Sequence, residues 1–197
     1  MPTPAQPPVV PAKDALRDQV LAARRQRPLA ESVAAAQAIA EHALSWDVVR
    51  RAVTVAAYVS VGREPGTGLL LEALHAAGKR VLLPVLRADN DLDWAVFTGA
   101  LEPASRGLLE PTGQRLGIEA VAGADVVLVP GLAASTDGDR LGRGGGSYDR
   151  ALARVGAGVP IGVLLHDDEA SLVVPTEVHD RRVTHVVTPT GVRPVSP

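Results

Sequence analysis

The chain has 197 residues, a formal net charge of −2 and no cysteine. The lack of cysteine excludes disulfides, a thiol nucleophile and Cys-based metal sites, and the interspersed acids and bases do not form the concentrated basic face of a nucleic-acid-binding protein. No uninterrupted apolar stretch reaches the ~20 residues that span a bilayer, so no membrane segment is predicted.

Residues 1–11 include five prolines and predict a disordered, polyproline-like tail. This tail lacks the positive and then apolar layout of a signal peptide, and we therefore expect a cytoplasmic location. The remaining residues, 12–197, have a length that suits a single domain with one hydrophobic core.

Two helices are predicted next. Leu16 and Val20 lie on one stripe of a helix that runs from Lys13 to about Arg25. Apolar residues recur at helical spacing through a second helix, Leu29–Leu44, which begins directly after Pro28.

Short apolar runs rich in β-branched residues alternate with turns and helical segments in the rest of the chain. A helix is predicted at Thr67–Ala77, with Gly78 at its end. The alternation predicts an α/β domain with a mostly parallel sheet. The predicted strands are Val53–Val59, Arg80–Leu86, Leu92–Phe97, Asp125–Val129, Ile161–Leu165 and Val183–Val187.

The longest turn-rich segment, Pro130–Ser147, directly follows one of these strands. Ligands of open α/β sheets bind outside the carboxyl ends of the strands, so this segment is the first candidate for a binding site. It has neither a Walker A motif nor the glycine spacing of a dinucleotide-binding motif, and glycine clusters also occur in flexible surface loops. Its glycines allow positive φ and let main-chain N–H groups converge on an anion; they are Gly142, Gly144, Gly145 and Gly146.

Charged residues among these glycines favour a phosphate site over a plain surface loop. Arg140 and Arg143 carry guanidinium groups whose planar fork suits phosphate oxygens. A helix predicted at Tyr148–Arg154, with Ser147 as its N-cap, directs its partial positive charge to the same point. Asp149 supplies a carboxylate through which a divalent cation can bridge protein and phosphate.

The decapeptide Arg140–Asp149, together with Pro130–Ala133 before it, resembles the ATP- and substrate-binding signature of the 5-formyltetrahydrofolate cyclo-ligase (5,10-methenyltetrahydrofolate synthetase) family. The resemblance extends from Lys13 to Val187. Weaker elements of that family occur in the same order along the chain: Lys13 with Arg17, Glu64-x-x-Thr67, Gly107–Pro111 and Pro175-x-x-x-His179-Asp180. The sequence departs from the family at Ser147, where an aromatic residue is usual, at Gly145, where some members have lysine, and at Thr184, where an acid is frequent.

The resemblance implies a three-layer α/β/α fold of the kind seen in sugar-phosphate isomerases and CoA transferases. It implies a ligase that converts 5-formyltetrahydrofolate and ATP into 5,10-methenyltetrahydrofolate, ADP and phosphate, by phosphorylating the formyl oxygen. The implied partners are the small-molecule folate and ATP, the implied metal is Mg²⁺, and a monomer without nucleic acid is expected.

Site residues follow from the same resemblance, position by position. Catalysis is assigned to Lys13, Arg143 and Tyr148, and Mg²⁺ to Asp149 and Asp180. ATP is assigned to Lys13, Arg17, Arg140, Leu141, Gly142, Arg143, Gly144, Gly145, Gly146, Ser147 and Tyr148. The folate is assigned to Arg17, Val59, Glu64, Arg143, Gly144, Gly145, Gly146 and Ser147.

Several alternatives stay open. Tyr148 suits stacking on a ligand ring and packing of its helix against the sheet equally well. His166–Glu169 has metal-binding residue types, but four adjacent side chains cannot turn toward one ion, and a solvated acidic run is expected.

Two other functions are also considered. A sugar-phosphate isomerase or acyl-transferase would need a catalytic acid or nucleophile that no motif assigns. A non-catalytic folate- or nucleotide-binding module has the departure at Ser147 in its favour.

Overall fold

The computed structural model describes residues 12–178 and 180–196, so that the tail predicted at residues 1–11 and the predicted motif residue His179 lie outside it. The helices are α1 (Lys13–Gln26), α2 (Leu29–Ser45), α3 (Asp47–Arg51), α4 (Gly68–Ala76) and α5 (Ser147–Leu152). No described helix combines the length and the apolar character that crossing a membrane requires.

The strands, in chain order, are β1 (Thr54–Ala56), β2 (Arg80–Leu86), β3 (Leu92–Val96), β4 (Leu101–Pro103), β5 (Leu109–Pro111), β6 (Val126–Pro130), β7 (Ala133–Ala134), β8 (Arg140–Leu141), β9 (Ile161–Leu164), β10 (His185–Thr188) and β11 (Gly191–Pro194). Seven of them form one sheet in the order β11-β10-β9-β6-β1-β2-β3, while β4–β5 and β7–β8 are separate antiparallel pairs. The five inner strands are parallel, and both edge strands run antiparallel. The mostly parallel α/β sheet predicted from the sequence is confirmed.

The sheet is covered on both faces because its strands alternate between two apolar clusters. Val55 of the central strand packs with α2, α3 and α4, whereas its neighbour Ala56 packs with α5 and the 3₁₀ segment Ile118–Gly123. Val55 also lies opposite Val81 and Val126 in the two neighbouring strands, which sets the register of the sheet centre.

Helix α1 stands apart from these two layers. Its apolar stripe, Leu16 and Val20, packs on Leu132 and Leu141 of the β7–β8 region and not on the sheet. The stripe predicted from the sequence therefore attaches α1 to the segment that carries the glycines, and this places its N-terminal residues at the carboxyl edge of the sheet.

Some predictions of local structure were wrong. The strand predicted at Val53–Val59 is shorter and comprises only Thr54–Ala56, although the N–H of Ala57 still donates to the Leu82 carbonyl of β2 at 2.9 Å. Ser147 is the first residue of α5 and not its cap; Gly146 takes the cap position with φ 67° and no side-chain cap is present. The elements not predicted from the sequence are α3, β4, β5, β7, β8 and β11.

Candidate active site

A cleft of about 860 Å³ opens at the carboxyl edge of the parallel strands. Its floor is formed where β1, β2 and β6 end, at Tyr58, Leu86 and Pro130. Helix α1 and the loop after β8 form adjoining parts of its wall, because Arg17 Nε of α1 donates to the Gly142 carbonyl at 3.0 Å. The predicted site residues that line the cleft are Lys13, Arg17, Val59, Glu64, Arg140, Leu141, Gly142, Arg143, Gly144, Gly145, Gly146, Ser147, Tyr148, Asp149 and Asp180, which is the whole predicted set.

Lys13 projects from the first turn of α1 onto two acidic residues. Its Nζ lies 2.8 Å from Asp180 Oδ2 and 3.3 Å from Glu177 Oε1. Burial works against the ammonium charge, but hydrogen bonds and the charges of Asp180 and Glu177 raise the pKa of Lys13 above its usual value. The side chain is therefore a permanent cation at neutral pH. Glu177 was not among the predicted site residues, although it precedes the His179-Asp180 motif by two positions.

The glycine loop offers unpartnered main-chain donors to the cleft. Within the described residues, the N–H groups of residues 143–146 donate to no protein acceptor. Gly144 has φ 95°, and a Cβ there would lie 3.6 Å from Arg17 Cζ. Arg17 in turn donates from Nε to the Gly142 carbonyl at 3.0 Å. Bare amides and a guanidinium group thus face the same volume, as an anion site requires.

Arg140 occupies a buried position beneath this loop. Its guanidinium group donates to Asp149 Oδ1 at 3.0 Å and to the Pro130 carbonyl at 3.2 Å, and lies 5.8 Å from the centre of the Tyr148 ring. These contacts hold the start of α5 against the end of β6. Arg140 therefore fixes the position of Asp149 and faces the cleft only with its edge.

Tyr148 packs its helix against the sheet and also borders the cleft. Its ring packs against the apolar clusters on both faces of the sheet and also lines the cleft. Burial first, and then the nearby charge of Glu64, raise the pKa of the Tyr148 phenol well above its usual value. At neutral pH the phenol is protonated, so it can donate a hydrogen bond but cannot serve as a base.

Glu64 and Arg143 form an ion pair that lines the cleft between the loop after β1 and the glycine loop. Arg143 Nε donates to Glu64 Oε1 at 3.0 Å, with 8% of the Glu64 side chain exposed against 53% of Arg143. Glu64 also accepts the N–H of Val61 at 2.8 Å, which anchors the loop after β1. The carboxylate is thereby fixed, while the arginine lies at the solvent edge where it can reach a ligand.

The other half of the cleft is apolar and was not predicted from the sequence. It brings together residues from β2, β3, the β4–β5 pair and the loop after β1, and none of them belongs to a charged or glycine-rich motif. Leu108 and Leu109 lie within the predicted Gly107–Pro111 element but had no role assigned. The residues of this apolar wall are Val61, Pro84, Leu86, Leu92, Leu108 and Leu109.

The predicted Mg²⁺ ligands fit a hard divalent cation. Asp149 Oδ1 accepts the N–H of Arg181 at 3.3 Å, so Asp149 lies beside the residue that follows Asp180. In the part of the chain that the structure describes, no group of three or more metal-binding side chains occurs. Two carboxylates next to a phosphate-binding loop are the environment that Mg²⁺ prefers, because it keeps waters and takes phosphate oxygens as further ligands.

A buried ion pair ties α1 to the 3₁₀ turn Asp167–Glu169 that follows β9. Arg24 donates from Nε and Nη2 to Glu169 at 2.6 and 2.8 Å, and from Nη2 to the Gly131 carbonyl at 2.8 Å. The expectation of a solvated acidic run at His166–Glu169 was therefore wrong for Glu169, and for His166, which caps the 3₁₀ turn that follows. The Glu169 carboxylate also accepts the main-chain N–H of His166 at 3.0 Å.

Comparison with known proteins extends over the whole cleft. The model of the 5-formyltetrahydrofolate cyclo-ligase family matches residues 9–189. The 5-formyltetrahydrofolate cyclo-ligase of Mycolicibacterium smegmatis is 41% identical over 184 residues, which cover 90% of this chain and 94% of that protein. The protein of the same name from Escherichia coli strain K12 is 33% identical over 162 residues, 79% of this chain and 88% of the relative.

Solved structures show the same fold. The 5,10-methenyltetrahydrofolate synthetase of Aquifex aeolicus, determined by NMR, superposes with a TM-score of 0.79 at 25% identity, over 94% of this chain and 93% of that one. The synthetase from Mycoplasma pneumoniae gives a TM-score of 0.72 at 19% identity, over 91% and 99% of the two chains, and supports the fold alone. Each superposition thus covers more than nine tenths of this chain, 94% and 91% respectively.

Proposed function

The chain belongs to the 5-formyltetrahydrofolate cyclo-ligase family, and from this premise we propose that it cyclises 5-formyltetrahydrofolate to 5,10-methenyltetrahydrofolate at the expense of ATP, releasing ADP and phosphate. One observation carries the proposal. A glycine loop with unpartnered N–H groups, two cationic side chains of α1 and an apolar wall share a single cleft. The loop and the cations suit a triphosphate, and the apolar wall suits the flat rings of a folate.

The proposed chemistry has two steps. The formyl oxygen attacks the γ-phosphorus of ATP, and ADP leaves. N10 of the folate then attacks the activated formyl carbon and loses its proton, and the phosphate departs with the former formyl oxygen. Neither step requires a nucleophile from the protein, so the enzyme has to position two substrates and neutralise charge.

The cationic residues serve the phosphates in this proposal. Lys13 and Arg17 approach from α1, while the N–H groups of the adjoining glycine loop line the same part of the cleft. Arg143 can leave its exposed ion pair with Glu64 to follow the transferred phosphoryl group. Arg140 serves the phosphates indirectly, because its buried guanidinium group holds Asp149 and the ring of Tyr148 in place.

Asp149 and Asp180 would hold Mg²⁺, which when bound neutralises charge on the phosphates of ATP. Without ligands, each carboxylate has a cationic partner: Arg140 pairs with Asp149, and Lys13 pairs with Asp180. These partners keep two acidic groups side by side without strong mutual repulsion. Tyr148 contributes a hydrogen-bond donor and not a base, since its pKa is raised.

The folate end of the cleft is assigned to Val59 and Glu64 together with the apolar wall. Glu64 is held rigidly by the Val61 N–H, so its carboxylate can accept hydrogen bonds from the amino and ring N–H donors of a pterin. The wall provides the surface against which such a ring packs. Arg17, Arg143 and the loop from Gly144 to Ser147 then separate the folate from the nucleotide.

The decisive experiment mixes purified protein, MgATP and 5-formyltetrahydrofolate and records the near-ultraviolet absorbance of the methenyl product. We expect absorbance to rise only when all three are present, with one ADP formed per product. Conversion of a substrate without ATP would favour an isomerase or acyl-transferase instead. Binding of both ligands without product, by a folded protein, would leave a non-catalytic module.

Three further properties belong to the proposal. We expect a monomer, which sedimentation equilibrium would test, and no affinity for nucleic acid at physiological salt. We expect a cytoplasmic enzyme, which fractionation of cells that express the full-length protein would test.

A further inference from the structure

Tyr58 lies on the floor of the cleft with a hydroxyl group that has no partner in the described part of the chain. Its ring packs in the apolar cluster that β1 shares with α2, α3 and α4, and 2% of the residue is exposed. The hydroxyl oxygen, Oη, is buried and makes no hydrogen bond to any described residue. A buried donor without a partner costs stability, so a hydroxyl at the floor of a ligand site is explained by an acceptor that the ligand supplies.

The phenol of Tyr58 is a donor at neutral pH. Burial first, and then the nearby charge of Glu64, raise the pKa of this phenol well above its usual value. The phenol therefore keeps its proton. Because the Glu64 carboxylate is close by, a second anion is disfavoured at this place, and a neutral carbonyl oxygen is a better acceptor than a phosphate oxygen.

The loop after β1 fixes Tyr58 and Glu64 relative to each other. Ser60 and Thr67 exchange two hydrogen bonds, from the Ser60 N–H to Thr67 Oγ1 at 2.9 Å and from the Thr67 N–H to Ser60 Oγ at 3.1 Å. The Val61 N–H donates to Glu64 Oε2 at 2.8 Å, and the Glu64 N–H donates to the Val61 carbonyl at 3.2 Å. One braced loop thus carries both a hydrogen-bond donor and a hydrogen-bond acceptor of the cleft.

A donor beside an acceptor complements the lactam edge of a pterin ring. In that edge the ring N3–H lies next to the C4 carbonyl oxygen, so the N3–H can donate to Glu64 while the oxygen accepts from Tyr58. The other tyrosine of the chain, Tyr148, has its ring 5.8 Å from Arg140 Cζ, beside the residues assigned to the phosphates. Tyr58 is therefore the phenol that belongs to the folate end.

We propose that the Tyr58 hydroxyl donates a hydrogen bond to the C4 carbonyl oxygen of the folate and is a specificity-determining residue of the cleft; this assignment rests on the proposed cyclo-ligase function. A site built around such a donor rejects a ring that lacks the oxygen, because the hydroxyl is then left unpaired. Tyr58 recognises the ring and takes no part in the reaction at the formyl group.

The test is calorimetric titration without nucleotide, so that no turnover occurs. It compares 5-formyltetrahydrofolate with its 4-deoxy analogue, which has a hydrogen in place of the C4 oxygen. The wild type should bind the oxo compound at least about tenfold more tightly. Tyr58→Phe deletes only the hydroxyl; it should raise Kd for the oxo compound about five- to tenfold and leave Kd for the analogue unchanged.

Thermal melting of the ligand-free protein separates this role from a structural one. A hydroxyl without a partner in the protein contributes no hydrogen bond to stability, so Tyr58→Phe should melt at the wild-type temperature or slightly above it. A hydroxyl bonded inside the protein would instead give a lower melting temperature in the variant, and that result would overturn the proposal. An equal loss of affinity for both compounds, or no loss for either, would overturn it as well.

Thr54→Val is the matched control, because it also removes a buried hydroxyl from the β1 segment. Thr54 begins β1, at the edge of the sheet away from the cleft, and does not line the cleft. Both Kd values should stay at their wild-type levels in this variant.

Failure of this assignment and failure of the proposed function are distinguishable. If the wild type binds 5-formyltetrahydrofolate but forms no methenyl product with MgATP, the cyclo-ligase function fails, while the calorimetric comparison still decides the role of Tyr58. If product forms and Tyr58→Phe changes neither Kd, the function stands and the assignment of Tyr58 is wrong.

Discussion

Lys13 and Asp180 form an ion pair in which Nζ lies 2.8 Å from Oδ2. One of these residues is proposed to bind ATP phosphates and the other Mg²⁺. Without ligands, Lys13 and Asp180 are paired with each other, and ligand binding has to replace this ion pair. ATP can attract Lys13 while the metal takes Asp180, so the two ligands are expected to strengthen each other's binding.

We predict that Lys13→Gln affects the two ligands in opposite directions. Loss of the ammonium group removes charge-assisted hydrogen bonds to phosphate, so kcat/KM for ATP should fall about 10- to 100-fold. Without nucleotide, Mn²⁺ should bind the variant more tightly than the wild type, because one cation fewer competes for Asp180. Initial rates and paramagnetic titration with Mn²⁺ measure the two effects.

Lys79→Gln is the control for this variant. Lys79 is the other lysine of the chain, and its Nζ donates to the carbonyls of Arg50 at 3.0 Å and Ala52 at 2.7 Å, at the edge of the sheet away from the cleft. Its kinetics should match the wild type. A parallel loss of nucleotide and Mn²⁺ affinity in Lys13→Gln would contradict the exchange of partners.

Asp149→Asn should separate metal binding from folding. The amide still accepts a hydrogen bond from Arg140 but loses the charge that a divalent cation needs, so Mg²⁺-dependent kcat/KM should fall at least about tenfold. The melting temperature should change by only a few degrees. Rates measured across a Mg²⁺ titration, together with thermal melts, check both expectations.

Asp137→Asn makes the same charge change in the turn between β7 and β8, where Asp137 is exposed and lies outside the cleft. Its Mg²⁺ dependence should equal that of the wild type. Wild-type Mg²⁺ dependence in Asp149→Asn itself would remove Asp149 from the metal site.

Gly144→Ala should weaken ATP binding through the backbone. With φ at 95°, an alanine would cost roughly 1–2 kcal/mol or would force the loop to turn its N–H groups away. We expect KM for ATP to rise about tenfold. Gly145→Ala, at a position without positive φ and with Ser147 Oγ 3.6 Å from the new Cβ, should have a clearly smaller effect. Equal increases in KM for ATP at the two positions would mean that side-chain bulk, and not backbone conformation, causes the loss of ATP binding.

Arg24→Met should destabilise the protein by about 3–5 kcal/mol, because Glu169 then keeps a buried charge without its cation. The two side chains are 1% and 3% exposed, so solvent cannot replace the lost partner. Urea unfolding measures the loss, and the double variant Arg24→Met with Glu169→Leu should recover much of it. Arg25→Met, at the exposed neighbouring position, should be near neutral. A double variant as unstable as Arg24→Met would contradict this explanation.

The sequence predicted those elements of the fold whose apolar pattern is long. Helices α1 and α2 and strand β2 end within about two residues of their predicted limits, because several turns or alternations define each of them. Strand β11 and the β4–β5 pair have only three or four residues each, half of them exposed, and show no periodic pattern. Pairing with neighbouring strands, and not local propensity, creates them.

The charged half of the site was predictable for a similar reason. Glycines and arginines within Arg140–Asp149 have few structural explanations, so their concentration indicates a function. Most residues of the apolar wall are leucines, which the sequence alone does not distinguish from leucines of the core. Only the fold shows that they line the cleft. The burial of Glu169 was equally hidden, since its partner Arg24 is 145 residues away in the chain.

The sequence separation of 167 between Lys13 and Asp180 has a consequence for biosynthesis. During translation, the glycine loop emerges from the ribosome before the segment that carries Asp180, so a growing chain has phosphate-binding groups but lacks one wall of the cleft. In the proposed function MgATP binds tightly only to the finished tertiary structure, and by mass action it would stabilise that state alone. The nucleotide would then be a folding ligand as well as a reactant, and we expect newly made molecules to mature more slowly when ATP is depleted.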